Sequence, residues 1–401
     1  MQTTRKINED ILYLGIDDRR LSRFENLFPL DRGVTYNSYL IRDTKTALLD
    51  TVDQTVEHQF WENLQYALQG RPLDYLIVNH MEPDHCAVIR NVLECYPEAV
   101  VVATAKTFQM ILQYFDLNLP DERKRMVKEG DTLSLGKHRL KFVMAPMVHW
   151  PEVMFTYDET DKALFSADAF GIFGTNNGNL FNDEQQFRAK DFVDDARRYY
   201  ANIVGKYGPQ VQAALRKLSG LEISLLCPLH GPVWRSDFDY IIGLYERWSK
   251  YEAEEQGVVA FYNSVYGNTE SVINGLLIRL AERGIKNIRA YDVSKTDVSY
   301  LIAEAYRVTN LIIGATTYNN GLFPKMENLV SDMKAVAVQN KKVSIVENGS
   351  WAPAAAKILH EEFDGMKNMS YIGETLTIRS AQYSKEALNT LADAIAESLK
   401  D

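Results

Sequence analysis

Apolar residues in the first part of the chain come in short runs cut by turn-forming or polar residues, a strand-like pattern. Such runs occupy residues 11–16, 35–42, 46–51, 75–78, 99–103, 139–145, 163–167 and 223–226, with Asp43-Thr44-Lys45 as a hairpin turn between the second and third. Helices are predicted at 56–68, closed by Gly70 and Pro72, and at 87–95. Over 237–256 the period changes: Phe238, Ile241, Ile242, Tyr245 and Trp248 recur at helical spacing, followed by a polar tail at 251–255. This reads as one helix leading into a second domain near Gly257, which gives domains 1–250 and 251–401. Beyond it the pattern alternates. Strands at 258–263, 288–292, 310–314, 342–347 and 369–374 are separated by helices at 269–283, 298–306, 323–338 and 352–362, and a last helix covers 385–399. Five strands alternating with helices predict a parallel, doubly wound sheet. There is no internal repeat and no low-complexity segment.

Composition narrows the class. The 401 residues suit two domains at about 100–200 residues each, and 46% hydrophobic residues supply a sizeable core. A formal charge of −10 makes a nucleic-acid or anionic-membrane partner a poor fit. No apolar run approaches the roughly 18–20 residues that span a bilayer, and the N-terminus lacks a secretory pattern. Three cysteines, Cys86, Cys95 and Cys227, have no paired spacing. That excludes a disulfide framework and a cysteine-rich iron–sulfur or rubredoxin site within this sequence. The expectation is a soluble cytoplasmic protein.

The densest chemistry is His80-Met81-Glu82-Pro83-Asp84-His85, at the end of the strand at 75–78. Alternation projects His80, Glu82 and Asp84 to one side and turns His85 elsewhere, which suits two adjacent metals better than one. His149, Asp168 and His230 each follow an apolar run, and strand-end loops on one sheet edge can converge. A carboxylate from the middle of such a set is a natural bridge. His58, His138 and His360 have no such context and read as surface or helix residues.

This hexapeptide resembles the His-x-His-x-Asp-His run of the metallo-β-lactamase fold, with Glu82 in the place of the second histidine. A carboxylate there hardens the pocket and favours iron or manganese over zinc. The same substitution marks the flavodiiron proteins (A-type flavoproteins), which the chain also resembles in Met147-Val148-His149-Trp150-Pro151, in 165–170 and in 228–234. The resemblance implies His80, Glu82 and His149 on one iron, Asp84, His85 and His230 on the other, and Asp168 bridging. The His85 ring can also turn away and leave its position to solvent.

In the second domain, Ser264-Val265-Tyr266-Gly267-Asn268-Thr269 lies between the first strand and its helix. Hydroxyls and free N–H groups at a helix N-terminus bind anions, and Gly267 permits close approach. Neither a P-loop lysine nor a G-x-G-x-x-G is present, so a monophosphate fits better than a triphosphate or dinucleotide. The loop resembles the phosphate loop of flavodoxins, which implies FMN at the switch point of the sheet. The stretches Thr316-Thr317-Tyr318-Asn319-Asn320-Gly321 and Asn348-Gly349-Ser350-Trp351 end the third and fourth strands and supply aromatic rings and amides for a flavin.

Together these features predict a metallo-β-lactamase-like αββα domain followed by a flavodoxin-like, doubly wound parallel five-stranded sheet. The implied activity is a terminal reductase. Electrons pass from a donor to FMN, then to a non-haem diiron site that reduces O2 to water or NO to nitrous oxide. With no rubredoxin or flavin-reductase module in the sequence, the expected donor is a separate rubredoxin, another flavoprotein or a reduced deazaflavin. Tyr199 and Tyr200 are possible proton donors, although packing on a helix is their preferred reading. The alternative activity is a zinc hydrolase of the metallo-β-lactamase superfamily with a fused flavodoxin-like domain. Two sites on separate domains are expected to lie at least roughly 30 Å apart, about the diameter of a small domain. That predicts a head-to-tail homodimer, which itself can pair into a dimer of dimers.

Overall fold

The computed structural model describes residues 1–400. The chain forms two compact units. One comprises Met1–Tyr200 and Pro209–Glu246, and the other comprises Ala201–Gly208 and the chain from Arg247 onward.

The first unit holds two facing sheets. The seven-stranded sheet runs Arg5–Lys6, Ile11–Tyr13, Tyr39–Arg42, Thr46–Leu49, Tyr75–Ile77, Val100–Ala103, Lys124–Met126, antiparallel up to Thr46–Leu49 and parallel from there on. Register sorts its side chains into two rows. Tyr13, Tyr39, Leu49, Ile77 and Val102 stand opposite one another and belong to the core shared with the second sheet. One residue along, Leu12, Leu40, Leu48, Leu76 and Val101 form a row that is equally buried on the other face. Near-continuous apolar strands of this kind belong to a sheet covered on both sides. Helix Glu57–Leu68 is part of that cover, with Phe60, Leu64, Ala67 and Leu68 buried. The second sheet orders Thr132–Ser134, Arg139–Met144, Met154–Asp158, Ala163–Phe165 and Leu225–Cys227. It faces the core with Leu133, Leu140, Phe142, Met154, Phe165 and Cys227.

Several elements depart from the pattern reading. Strand Met154–Asp158 is central in its sheet and wholly buried, yet its residues Met-Phe-Thr-Tyr-Asp make no clean apolar run. Helices Ala105–Phe115, Lys190–Tyr199 and Gly208–Leu218 were not anticipated. The helix expected at 87–95 is Ile89–Cys95, preceded by a separate helical turn, Pro83–Cys86, which begins with proline at its first position.

In the second unit the five parallel positions are ordered Ile288–Asp292, Glu255–Tyr262, Val308–Tyr318, Lys342–Asn348, and then the short pieces Ser370–Tyr371 and Leu376–Ile378. This is the 2-1-3-4-5 order of flavodoxin-like sheets. Helices Asn268–Glu282 and Lys385–Ser398 close one face through Val272, Ile273, Leu276, Leu388, Leu391 and Ile395. The fifth strand expected at 369–374 is thus split, and its second piece lies further along the chain. The helix expected to reach residue 256 stops at Ser249. There Tyr251 turns left-handed (φ 59°), and Glu254 folds back to accept from Trp248 Nε1 (2.5 Å) and, through its carbonyl, from Arg247 Nη1 (2.7 Å). Glu255 then opens the first strand. The third strand also runs past residue 314 to Tyr318, and turns through Asn319 and Asn320, both at positive φ, into Gly321–Leu322. This is the conformation a two-residue hairpin requires.

His138 corrects the reading of that residue as a surface or helix position: it is buried between two carboxylates. Its Nδ1 lies 2.7 Å from Asp158 Oδ2 and its Nε2 3.1 Å from Asp10 Oδ2, and Lys137 reaches the same Asp10 oxygen at 2.6 Å. Burial alone would lower the imidazole, but Asp158 and Asp10 outweigh it and raise it to about 9. The unfolded value is about 6.5, so the stabilisation is complete below pH 6.5 and is lost as pH rises through 9. We expect the melting temperature of wild type minus that of His138→Gln to shrink between pH 6 and pH 9.5. The change should be a few degrees, at about 2–4 °C per kcal/mol for a unit of this size. A difference that stays constant over that range would show that His138 is not charged in the fold.

Candidate metal centre and cofactor-binding edge

All seven predicted metal ligands come together in the first unit, on strand-end loops of both sheets. The loop after Tyr75–Ile77 is held from beneath by Asp50, which follows strand Thr46–Leu49. Asp50 accepts from Asn79 N (2.7 Å), Asn79 Nδ2 (2.8 Å) and His80 N (3.2 Å). Asn79 Oδ1 in turn accepts from Thr156 Oγ1 at 2.7 Å, which ties the loop to the second sheet. Past His80 the backbone is extended at Glu82 (φ −65°, ψ 140°) and then enters the turn Pro83–Cys86. The strict alternation expected for this loop therefore fails after Glu82. His80 and Glu82 point into one cluster, while Asp84 and His85, on the helical turn, point into another. Asp168 follows Ala163–Phe165 between two residues of positive φ, Ala167 (48°) and Phe170 (69°), a backbone strain of the kind that collects at functional sites.

The first cluster is His80, Glu82, His149 and Asp168, and the second is Asp84, His85 and His230. Glu82 Oε2 lies 3.2 Å from His80 Nε2 and 3.0 Å from His149 Nε2. Asp84 Oδ2 lies 3.2 Å from both His85 Nε2 and His230 Nε2. Asp168 divides its two oxygens between the clusters. Oδ2 lies 3.1 Å from His149 Nε2 and 3.4 Å from His80 Nε2, and Oδ1 lies 3.1 Å from His85 Nε2 and 3.8 Å from His230 Nε2. The His85 ring thus faces the centre. Two tautomers follow from the other ring nitrogens. His230 Nδ1 is 2.6 Å from the Thr35 carbonyl and His80 Nδ1 is 2.8 Å from Glu152 Oε1. Each acceptor needs a proton on Nδ1, which leaves Nε2 turned inward as a donor for a cation.

These groups are almost wholly buried, and burial disfavours their charges. Glu82 and Asp168 nonetheless stay ionised. Against burial, His149 and His80 hold Glu82 well below the usual range, and His85, His80 and His149 do the same for Asp168. The imidazoles are raised in return: His149 to about 9 through Asp168 and Glu82, and His80 and His85 upward through Asp168 and Asp84 among others. Such a set requires positive charge between its carboxylates. Both oxygens of Asp84, Oδ1 of Asp168 and Nδ1 of His85 are buried without a hydrogen-bond partner. Oxygen-rich clusters with unshared carboxylate oxygens fit hard divalent cations such as iron.

The second unit brings the predicted cofactor residues to the C-terminal edge of its sheet. Ser264 Oγ accepts from Gly267 N (3.0 Å), and Gly267 (φ 90°) has open space where a Cβ would stand, just before helix Asn268–Glu282. Thr269 is buried, and its hydroxyl accepts from Asn348 Nδ2 at 3.2 Å, so two of the predicted loops are tied together. Val265, Tyr266, Tyr318 and Trp351 are large apolar residues left exposed along this edge, Tyr266 at 91% and Trp351 at 87%. An open phosphate loop flanked by uncovered aromatic rings fits an FMN-sized ligand. Not every predicted group is free for one. Thr316 Oγ1 accepts from Asn263 Nδ2, and Thr317 Oγ1 accepts from Ala354 N (2.9 Å) and Ala355 N (3.2 Å), capping helix Ala355–Asp364. Asn319 lies in the hairpin turn, and Gly321 pairs with Tyr318 just beyond it. Gly349 packs against Pro353, where a Cβ would come within 2.5 Å.

Some residues of these sites escaped the sequence reading. Glu152 backs His80. Glu25, an exposed residue on the turn after Arg23–Phe24, has its carboxyl near Glu82, and partial desolvation of that carboxyl together with the neighbouring charge raises it. Tyr199 packs its ring 5.4 Å from His230, and its buried hydroxyl has no hydrogen-bond partner, whereas Tyr200 packs on Tyr245. In the second unit Ser380 joins the edge, its hydroxyl 2.8 Å from Ser350 Oγ and its carbonyl accepting from Asn348 Nδ2 (3.1 Å). It follows strand Leu376–Ile378, whose position the pattern reading missed. Tyr199 and Tyr200 are the possible proton donors named from the sequence; Glu152, Glu25 and Ser380 are marked by nothing in their own stretches of chain.

Comparison with known proteins agrees with both halves. The profile of the family described as "ODP family beta lactamase" matches residues 34–231. The anaerobic nitric oxide reductase flavorubredoxin of Escherichia coli (strain K12 / DH10B) is 31% identical over 354 residues, which cover 87% of this chain and 73% of that protein. Rubredoxin oxygen:oxidoreductase from the anaerobe Desulfovibrio gigas superposes with a TM-score of 0.92 at 26% identity, covering 99% of each chain. The flavodiiron protein from Giardia intestinalis superposes with a TM-score of 0.90 over 100% of this chain and 97% of that one; at 24% identity that likeness speaks for the fold alone. With a relative 31% identical over 87% of its length, the chain belongs to the flavodiiron protein family.

Proposed function

We propose that the protein is a terminal oxidoreductase that takes electrons from a separate donor and reduces O2, NO or both. The observation that carries this reading is the divided carboxylate of Asp168, one oxygen turned to each cluster. It is supported by the nitric oxide reductase and oxygen oxidoreductase named among the relatives. His80, Glu82 and His149 would hold one iron, Asp84, His85 and His230 the other, and Asp168 would bridge them. Ser264 to Thr269 would hold the FMN phosphate, with Thr316 to Asn319, Gly321 and Asn348 to Trp351 around the ring. When bound, FMN takes up electron pairs and releases them singly, and the irons bind and reduce a small oxygenated molecule. The chain contributes orientation and protons. The Thr35 carbonyl and Glu152 fix two ring tautomers, and Trp150 lies 5.4 Å from His80 as an aromatic wall. Tyr199 keeps its proton, since burial and the nearby carboxylates raise it well above the usual phenol range. A hydrolase reading lacks such support: Glu82 replaces the second histidine, and a flavodoxin-like unit is joined to the metal-binding one.

The same reading includes a rubredoxin, or another flavoprotein, as electron donor. Three free cysteines suit a reducing, cytoplasmic setting, and no helix among the described residues is long and apolar enough to cross a membrane. It also includes a head-to-tail homodimer in which the FMN edge of one protomer serves the iron site of its partner. That arrangement is supported by the two sites belonging to separate units and by the exposed rings of Tyr266 and Trp351.

The protein as purified should carry two irons and one FMN per chain, and should consume O2, NO or both with reduced rubredoxin as donor. Zinc without flavin, or a loaded protein that consumes neither gas, would overturn the reading. Asp168→Ala should lose more iron than Asp84→Ala while keeping FMN, and Ser264→Ala with Thr269→Val should lose FMN while keeping iron. Full iron and full activity in the Asp168 variant would remove it from the bridge. Finally, the Asp168 variant and the Ser264/Thr269 double variant, each inactive, should regain part of the activity once their subunits exchange. Confirmed exchange without activity, or an active monomer, would sink the head-to-tail dimer.

A further inference from the structure

The two metal clusters differ in what stands behind their histidines. In the first, His80 Nδ1 points at Glu152 Oε1 at 2.8 Å. Glu152 is buried, and the same oxygen also accepts from Met81 N at 2.8 Å, so both the ring and the loop that carries it are held by one carboxylate. Its second oxygen, Oε2, has no hydrogen-bond partner and no access to solvent. The anion is therefore compensated chiefly through His80 and the backbone. Against its burial, the His80 ring and backbone N–H groups hold Glu152 below the usual carboxylate range. In the second cluster, His230 Nδ1 meets only the neutral carbonyl of Thr35 at 2.6 Å, and His85 Nδ1 meets nothing. A carboxylate behind a ligating imidazole strengthens its donation through the other nitrogen and fixes its orientation; a carbonyl does so less, and a ring with nothing behind it lacks that support altogether.

We propose that Glu152 is a positioning residue that makes the two iron positions unequal, so that the iron on His80, Glu82 and His149 is held tightly and the iron on Asp84, His85 and His230 is the exchangeable one. The inference rests on the diiron reading of these clusters. It differs from that reading in assigning each position a different strength and in naming the residue responsible.

The test is iron release from the purified holoenzyme into a ferrous-iron chelator, followed by absorbance, with FMN fluorescence recorded in parallel. Wild type should release its iron in two phases, one fast and one slow. Glu152→Gln keeps the shape of the side chain but removes its charge. It should accelerate the slow phase by about 10–100-fold, the usual cost of losing such a partner, leave the fast phase unchanged and keep FMN bound. In the Mössbauer spectrum of the variant, one of the two iron doublets should move and the other should not. A slow phase unaltered by Glu152→Gln, or acceleration of the fast phase alone, overturns the inference while the diiron reading stands. If the variant does not fold, wild type alone still decides: a single phase carrying both irons overturns it. Purified protein that holds zinc or no metal overturns the diiron reading and this inference together.

Discussion

Three carboxylates and four imidazoles share one small buried volume, and everything around it answers the cost of putting them there. Glu82, Asp84 and Asp168 would repel one another in a medium of low dielectric, and each has imidazole nitrogens within about 3 Å, which hold Glu82 and Asp168 in their ionised forms. An interior that concentrates anions in this way has to be filled by cations. The scaffold is built to resist the repulsion: Asp50, itself pushed up to about 6 by burial, fastens the first loop, Thr35 fastens His230, and Glu152 fastens His80.

The strands explain why such different stretches of chain meet there. Both sheets of the first unit contain parallel pairs, Thr46–Leu49 with Tyr75–Ile77 and Ala163–Phe165 with Leu225–Cys227. Parallel neighbours emerge at the same edge, so the loops that follow them are brought together without long excursions. His80 to His85, Asp168 and His230 all leave from such strands. The second unit uses the same rule: Ser264, Thr316 and Asn348 follow or end parallel neighbours, and Asn348 and Thr269 touch although they lie far apart in the chain.

What could be read directly from the chain was therefore the chemistry at the ends of clear apolar runs. His80, Asp168 and His230 stood out because each closes a run of residues that cannot themselves do chemistry. Strand Met154–Asp158 was hidden by its Thr and Tyr, whose polar atoms are satisfied only by tertiary partners, as Thr156 is by Asn79. The fifth strand of the second unit was misplaced because Ser370–Tyr371 and Leu376–Ile378 are each too short to show a period. The helix near residue 250 was drawn too long because nothing in Tyr251 to Glu254 announces a reversal; the reversal depends on Glu254 meeting Trp248 and Arg247. Glu152 and Ser380 were invisible for the same reason, since their roles are conferred by neighbours distant in sequence. Thr317 shows the converse. Its place at a strand end suggested a ligand contact, while its hydroxyl is taken up in starting a helix.

The flavodoxin-like unit is not a continuous stretch of chain. Residues 201–208 belong to it although they precede the long helix Phe238–Ser249. Asn202 Nδ2 donates to the Ser299 carbonyl, Gly205 sits where a side chain would collide with the Tyr306 hydroxyl, and Gly208 is packed equally closely against Ser249 and Tyr251. A gene fragment beginning after residue 250 would encode every strand of this sheet and still leave a seam open along Tyr306. Recombination that shuffles flavodoxin-like modules between proteins would therefore have to carry this eight-residue strap along with the module, or repack the surface it covers.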